Sequence, residues 1–214
     1  FLGELITNLE IAPDQAVDYG CGDCNRCVEA CPTSCLIGDG SMNARRCLSF
    51  QTQDKGMMDL EFRKKIKTVI YGCDICQICC PYNRSLDNPL ATDIDPELAH
   101  PELIPFIELS NGQFKEKFGM VAGSWRGKNI LQRNAIIALA NANDRSAIPK
   151  LLEIIETSQN QIHIATAIWS LGELIREVTP DLVDLLTSLK NPSPAIIEER
   201  ERFFQKFQHQ ISHN

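Results

Sequence analysis

Apolar residues recur at helical spacing through the second half of the chain, with charged and polar residues between them. Pro149, Pro180 and Pro194 lie near the starts of three such stretches, where a missing N–H costs least. Thr179 is suited to cap the helix that begins at Pro180. The pattern predicts five short amphipathic helices, over residues 129–142, 147–157, 161–178, 179–191 and 194–207.

This helical half contains a repeat. "NAIIALA" at 134–140 matches "TAIWSLG" at 166–172, and "IPKLLEII" at 148–155 resembles "LVDLLTSL" at 182–189. A two-helix unit repeated at thirty-odd residues is typical of an α-solenoid of the HEAT kind. We therefore predict a short HEAT-like helical repeat domain over residues 113–214; the alternative is an unrelated helical bundle.

The first half of the chain has a different pattern, with glycines in tight turns throughout residues 13–84. One helix is predicted there, over residues 59–70, with Leu60, Ile66 and Ile70 facing inward and basic residues facing outward. The whole chain is therefore predicted to be mainly α, with a turn-rich module followed by a helical repeat.

Prolines separate these two halves, because five of the eleven in the chain fall between residues 81 and 112. Such a segment does not form one regular element. We predict an extended, Pro-rich connector with short turns over residues 85–112.

The composition excludes several classes of protein. Hydrophobic residues make up 43% of the chain, and the net charge is −7, which argues against a general nucleic-acid coat. No apolar run approaches the roughly 18 residues of a membrane span, and we expect no signal peptide, because the first residues lack a basic start and a small-residue cleavage site. We expect a cytoplasmic protein without membrane contact. One stretch, residues 113–133, inverts the charge balance, with five basic residues and a single acid, Glu116.

The cysteines indicate the chemistry. All ten fall between residues 21 and 80, and we expect no export signal in this chain. Disulfide frameworks belong mostly to short secreted domains, so clustered thiols here point to a metal in a reducing compartment.

The spacing of the first run, Cys21-x2-Cys24-x2-Cys27-x3-Cys31-Pro32, is that of bacterial ferredoxins. In that pattern three thiolates bind one 4Fe–4S cluster, and the fourth crosses to a second cluster. The second run leaves two alternatives. The third ligand is Cys79 in a literal ferredoxin spacing, or Cys80, which precedes Pro81 as Cys31 precedes Pro32.

Two 4Fe–4S clusters need eight thiolates, so two cysteines are spare, and we favour Cys35 and Cys79. The alternative metal is zinc bound by paired CxxC motifs, which would leave Cys27 and Cys31 without a role. We therefore predict a ferredoxin-like domain with two 4Fe–4S clusters over residues 13–84. The predicted ligands are Cys21, Cys24, Cys27 and Cys80 for cluster 1, and Cys31, Cys47, Cys73 and Cys76 for cluster 2.

Four motifs occur in order: "CGDCNRCVEACPTSC", "ARRCLSFQTQDKG", "YGCDICQICCPYN" and "FKEKFGMVAGSWRGKNILQRNAIIALAN". With them the chain closely resembles the epoxyqueuosine reductase family, from residue 1 to about residue 175. The ferredoxin spacing is widespread, whereas its combination with the isolated Cys47 and the "GSWRGK" stretch is specific. Cys35 departs from the Ala usual in that family, and Cys79 from the usual apolar residue.

The resemblance implies an oxidoreductase that reduces epoxyqueuosine to queuosine at the tRNA wobble position, using cobalamin and two 4Fe–4S clusters. In that family an N-terminal domain holds most of the corrin pocket and the acidic proton donor. Residues 1–12 are then expected to be the remnant of that domain. No catalytic residue is assigned to this chain, which we expect to be catalytically incomplete by itself.

The resemblance also implies partners and contact residues. The expected partners are a tRNA anticodon stem-loop and a low-potential electron donor, with the chain itself a monomer. Ser49 and Gln53 are expected at the edge of cobalamin; the alternative for both is hydrogen bonding within their loop. Trp125 is expected in the core, with base stacking as the alternative. The expected tRNA contacts are Lys55, Lys115, Lys117, Arg126, Lys128 and Arg133.

The residues alone also allow a second hypothesis for the function. In this hypothesis the chain is a stand-alone electron-transfer or scaffold protein, in which a ferredoxin-like module is joined to a solenoid that docks a protein partner. Salt-dependent binding of a tRNA stem-loop separates the two hypotheses.

Overall fold

The computed structural model describes residues 3–16, 20–84 and 95–211. Residues 3–16, which carry most of the expected domain remnant, run as an exposed, irregular segment. Residues 85–94, the first part of the expected connector, lie outside the described residues, as do 1–2, 17–19 and 212–214. The described residues are mainly helical, and their only pairing of extended backbone is an isolated bridge between Leu36 and Met42.

Short helices separated by turns carry the cysteines in the first half of the chain. A small core lies behind them, formed by Leu48, Met58, Phe62 and Ile66 together with Ile137 from the second half. The helices are α1 (Arg26–Ala30), α2 (Leu48–Gln51), α3 (Leu60–Arg63) and α4 (Ile75–Ile78).

The helix predicted over residues 59–70 is wrong beyond its first turn. After α3 the chain continues in turns, and Lys67 adopts a left-handed conformation with φ of 52°. The side-chain amide of Asn141 donates to the carbonyls of Arg63 and Lys67, at 2.7 Å each. A longer helix would have used those carbonyls itself. Leu60 is exposed, contrary to the prediction, whereas Ile66 is buried as expected and Ile70 is half-buried.

The expected extended connector is wrong for residues 96–108, because two short helices form there and pack onto the second half. They are α5 (Pro96–Ala99) and α6 (Leu103–Glu108). Phe106 of α6 is buried against Phe114 and Phe118, which belong to α7 (Asn111–Phe118). The apolar positions of α6 outweigh the proline signal, since a proline in a first helical turn costs little.

The second half forms the predicted array of short helices. They are α8 (Lys128–Asn141), α9 (Ile148–Thr157), α10 (Gln161–Leu174), α11 (Pro180–Thr187), α12 (Pro194–Lys206) and α13 (Gln208–Ile211). Thr179 caps α11, as predicted, because its side chain accepts from the N–H of Leu182. The central helix, α10, packs against α8, α9 and α12, and its Ala165, Ile168 and Leu171 are completely buried. Among the described residues, no helix has the length and apolarity to cross a bilayer.

Polar side chains of the second half hold the backbone of the first. The amide of Asn134 donates to the carbonyls of Thr52 and Ile70, at 2.7 and 2.8 Å. A buried ion pair joins Arg63 to Glu199 of α12 at 2.8 Å. The two halves therefore meet through a buried polar interface that fixes the segment between the two cysteine runs.

Candidate metal centre and the adjoining groove

The two cysteine runs lie against each other, because the short helices that carry them pack together. Helix α1 contains Cys27, helix α4 contains Cys76, and the two helices are in contact. The hydroxyl of Tyr82, two residues after Cys80, donates to the carbonyl of Gly20, immediately before Cys21. The start of the first run therefore lies against the end of the second.

A second group of thiols gathers farther from solvent. Burial raises the pKa of Cys73, and the nearby thiols of Cys47 and Cys31 raise it further. Burial likewise raises the pKa of Cys76, with Cys73 and Cys47 adding to the effect. Cys73 is therefore near both Cys31 and Cys47, and Cys76 is near Cys73 and Cys47, although more than forty residues separate Cys31 from Cys76.

The sulfur of Cys31 lies within hydrogen-bond distance of three groups. The backbone N–H of Cys35 donates to it at 3.3 Å, and the Oγ1 atom of Thr33 and the Sγ atom of Cys35 lie 3.5 and 3.4 Å away. Burial alone would raise the pKa of Cys31, but these partners outweigh it and hold the pKa at about 6. Burial, followed by Cys31 and Cys47, raises the pKa of Cys35 to about 12.

All ten cysteines lie in the described residues, and none forms a disulfide. Cys21 and Cys24 are exposed, whereas Cys47, Cys73 and Cys76 are half-buried. Free thiols are the donors that hold iron–sulfur clusters, in which each thiolate binds a different iron. In the described part of the chain, no three Cys, His, Asp or Glu side chains are grouped closely enough for one metal ion. The donor set fits an iron–sulfur cluster.

A groove of about 340 Å³ adjoins the second group of thiols, and Cys47 forms part of its wall. Ser49 and Gln53 also line it. The amide of Gln53 donates to the backbone carbonyl of Ser49 at 2.9 Å and reaches its hydroxyl at 3.3 Å. These bonds match the alternative of local hydrogen bonding, and both residues still face the groove.

The rim of this groove carries a tryptophan that sequence reasoning placed in the core. Trp125 is 66% exposed, and the guanidinium of Arg126 lies over its ring, 4.5 Å from the centroid. The indole N–H donates to the hydroxyl of Tyr71 at 3.4 Å. A Cβ at Gly123 would come within 2.9 Å of the Tyr71 ring, so glycine is needed there. One sequence signal could have placed Trp125 at the surface. Gly123 and Gly127 flank it, and two glycines so close together indicate a turn rather than a regular helix.

The basic residues expected to contact tRNA do not form one surface. Arg133 is wrong as a phosphate ligand, because its side chain is 1% exposed. Its guanidinium donates instead to the backbone carbonyls of Gln51, Asp54 and Gly56, at 2.7 to 2.9 Å.

The other five basic residues remain accessible to different degrees. Lys55 and Lys115 are exposed, while Lys117 is exposed and paired with Glu97. The Nζ atom of Lys128 donates to the carbonyl of Leu109 at 3.0 Å. Arg126 donates through Nε to the carbonyl of Gln53 at 2.6 Å, which places this arginine at the groove.

Two family models match the two halves. The model of a 4Fe-4S double cluster binding domain matches residues 20–83, and that of HEAT repeats matches residues 127–200. These matches confirm the predicted fold class, a ferredoxin-like double-cluster module followed by a HEAT-like solenoid. They also favour iron–sulfur over zinc for the clustered thiols.

The chain is similar to curated and solved proteins over most of its length. An epoxyqueuosine reductase of Lactococcus garvieae is 57% identical over 176 residues, covering 81% of this chain and 50% of that protein. A solved epoxyqueuosine reductase from Streptococcus thermophilus is 69% identical with a TM-score of 0.88, covering 94% of this chain and 54% of that one. An epoxyqueuosine reductase solved with an epoxyqueuosine-modified tRNA-Tyr stem loop is 41% identical with a TM-score of 0.86, covering 92% of this chain and 53% of that one. The chain spans about half the length of these relatives.

Proposed function

Since the chain belongs to the epoxyqueuosine reductase family, we propose that it is the electron-relaying and tRNA-docking part of such an enzyme. The observation that carries this proposal is the gathering of Cys31, Cys47 and Cys73 beside a groove that Cys47 itself lines. Bound 4Fe–4S clusters would supply one-electron transfer at that position. The reduction of epoxyqueuosine to queuosine would then use electrons held by this chain.

We propose that the thiols divide into two ligand sets of four. The nearness of Cys31 and Cys47 to Cys73, and of Cys73 and Cys47 to Cys76, supports the assignment of these four thiols to cluster 2. The hydrogen bond from Tyr82 to Gly20 supports the choice of Cys80 rather than Cys79, because it brings the segment that follows Cys80 to the start of the first run. Cluster 1 is then held by Cys21, Cys24, Cys27 and Cys80.

The groove beside Cys47 would receive the edge of cobalamin and the modified base. A volume of about 340 Å³ lies at the lower end of ligand pockets, so it fits one edge of a macrocycle rather than the whole. Ser49 and Gln53 supply polar groups at that edge. The exposed indole of Trp125, held by Tyr71 and covered on one face by Arg126, offers a stacking surface for an unpaired base.

The proposed tRNA contacts follow from exposure and charge. Lys55 and Lys115 are exposed and cationic, and Arg126 lines the groove. Lys117 and Lys128 contribute from the same basic stretch. A-form RNA is bound largely through its backbone, with loop bases splayed out and stacked, which suits basic residues around an aromatic platform. The relative solved with a tRNA stem loop supports this assignment.

Two measurements test the proposal on the chain as it stands. Anaerobic reconstitution should give about eight irons per chain with a thiolate-to-iron charge-transfer band, as two cubane clusters require. A tRNA anticodon stem-loop should bind with an affinity that falls as salt rises, because phosphate contacts release counterions. Stoichiometric zinc without that band would refute the cluster assignment. Absence of salt-sensitive binding would refute tRNA docking and favour a stand-alone electron-transfer protein.

A further inference from the structure

We propose that Cys35, one of the two cysteines left over from the ligand sets, raises the reduction potential of cluster 2 by donating an S–H hydrogen bond to the Cys31 thiolate. Cys35 is thus a positioning and tuning residue rather than a ligand. This inference rests on the proposed function, because it requires Cys31 to be bound to iron.

The geometry around Cys31 carries the inference. Its Sγ atom lies 3.4 Å from the Sγ atom of Cys35 and 3.5 Å from the hydroxyl of Thr33, and it accepts from the N–H of Cys35 at 3.3 Å. A thiolate on iron carries no proton and can only accept. Cys35 and Thr33 must therefore be the donors once Cys31 is a ligand.

Burial makes the Cys35 donor difficult to replace. Its side chain is 4% exposed, and Thr33 is 1% exposed. Water therefore does not reach this side of the Cys31 sulfur in place of a lost S–H. Reduction adds negative charge to a cluster, and a donor aimed at a ligand sulfur stabilises the reduced state more than the oxidised state. Hydrogen bonds to the sulfurs are among the factors that set cluster potentials.

The chain contains its own control for this effect. Cys79, the other spare cysteine, is half-buried, and its Sγ atom lies 3.3 Å from the backbone carbonyl of Cys76. Its S–H is therefore directed at a carbonyl oxygen. Removing the thiol of Cys79 deletes a sulfur from the same module while leaving the Cys31 sulfur with all of its donors.

The test compares Cys35→Ala, Cys35→Ser and Cys79→Ala with the parent chain after anaerobic reconstitution, by iron analysis and by redox titration followed by electron paramagnetic resonance. We expect all four proteins to hold the same amount of iron. In Cys35→Ala the equilibrium constant for reducing one cluster should fall roughly threefold to tenfold, a lowering of about 30 to 60 mV for one electron. The other cluster should keep its potential. Cys35→Ser, which retains a donor, should recover part of the shift, and Cys79→Ala should match the parent.

The outcomes separate this inference from the proposed function. A parent without clusters would overturn both. A parent with about eight irons and a Cys35→Ala chain with unchanged potentials would overturn the tuning role alone. Loss of about four irons in Cys35→Ala would show that Cys35 is a ligand, which also overturns the tuning role.

Discussion

The cysteine-rich module and the solenoid differ in what stabilises them. The solenoid buries a continuous set of apolar side chains, among them Ile168, Leu171 and Leu186, none of which is exposed. The module has four large apolar side chains of its own in its core and needs Ile137 of the solenoid to complete it. Its backbone carbonyls are held by solenoid side chains. The solenoid is therefore expected to be stable by its own packing, whereas the module depends on thiolate ligation and on the interface.

This difference explains why three polar residues of α8 face the module. Arg133, Asn134 and Asn141 are directed at carbonyls that no helix of the module uses. Buried carbonyls left without donors would each cost about 1 to 3 kcal/mol. The solenoid therefore acts as a rigid support that holds the segment between Cys47 and Cys73 in place.

The largest expected effect comes from breaking ligation in the module. Cys47→Ala should lower the iron content from about eight to about four per chain, because one cubane loses a thiolate. Helical circular dichroism should change little, since most helical residues belong to the solenoid. Cys79→Ala is the matched control and should retain the full iron content. The reverse result would contradict the ligand sets.

The next largest effect should come from the ion pair that joins the two regions. Glu199→Ala leaves Arg63 buried without its partner and should lower the free energy of unfolding by about 3 to 5 kcal/mol. Arg63 and Glu199 are 3% and 2% exposed in this pair. Urea unfolding measures the loss.

The neighbouring residue provides the control for that ion pair. Glu198→Ala removes an exposed partner of Arg202 and should cost less than about 1 kcal/mol. Equal losses in the two variants would mean that the buried pair contributes nothing special to the interface.

Two substitutions on opposite sides of α8 should each produce a smaller loss of stability, and each should affect a different segment of the chain. Asn134→Ala removes donors from the carbonyls of Thr52 and Ile70, while Gln132→Ala removes donors from those of Phe106 and Ile107. Each should cost about 1 to 3 kcal/mol. Amide exchange should rise over residues 51–72 in the first variant and over residues 103–109 in the second. Faster exchange over the same residues in both variants would contradict the division of α8 into two faces.

The smallest effect concerns the pH dependence of the stability of the solenoid. Burial lowers the pKa of His163, although its contact with the carbonyl of Asn129 at 2.8 Å opposes that shift. The unfolded chain then binds the proton more readily than the folded chain. Stability should therefore fall as the pH drops below the ordinary histidine pKa of about 6.5. His163→Gln should flatten this slope in thermal unfolding measured between pH 7 and pH 5, and an unchanged slope would assign it to other groups.

Sequence patterns predicted the solenoid well because its helices obey a local period. The stretches 129–142 and 194–207 correspond to α8 and α12 to within about one residue. The pattern failed over residues 59–70, where Asn141, far away in sequence, takes the carbonyls that would have continued the helix. It also failed for α6, because the prolines in this segment predicted an extended connector instead of a helix.

The sequence by itself determined the chemistry, because the spacing of Cys21, Cys24, Cys27 and Cys31 is a local property of the chain. It also determined the period of the solenoid. The tertiary structure decided which polar side chains are exposed and can therefore bind a partner. Lysines and arginines of one basic stretch look equivalent in sequence, yet Arg133 is buried on backbone carbonyls while Lys115 is exposed. Burial depends on which segments pack together, and long-range packing leaves no local signal in a single chain.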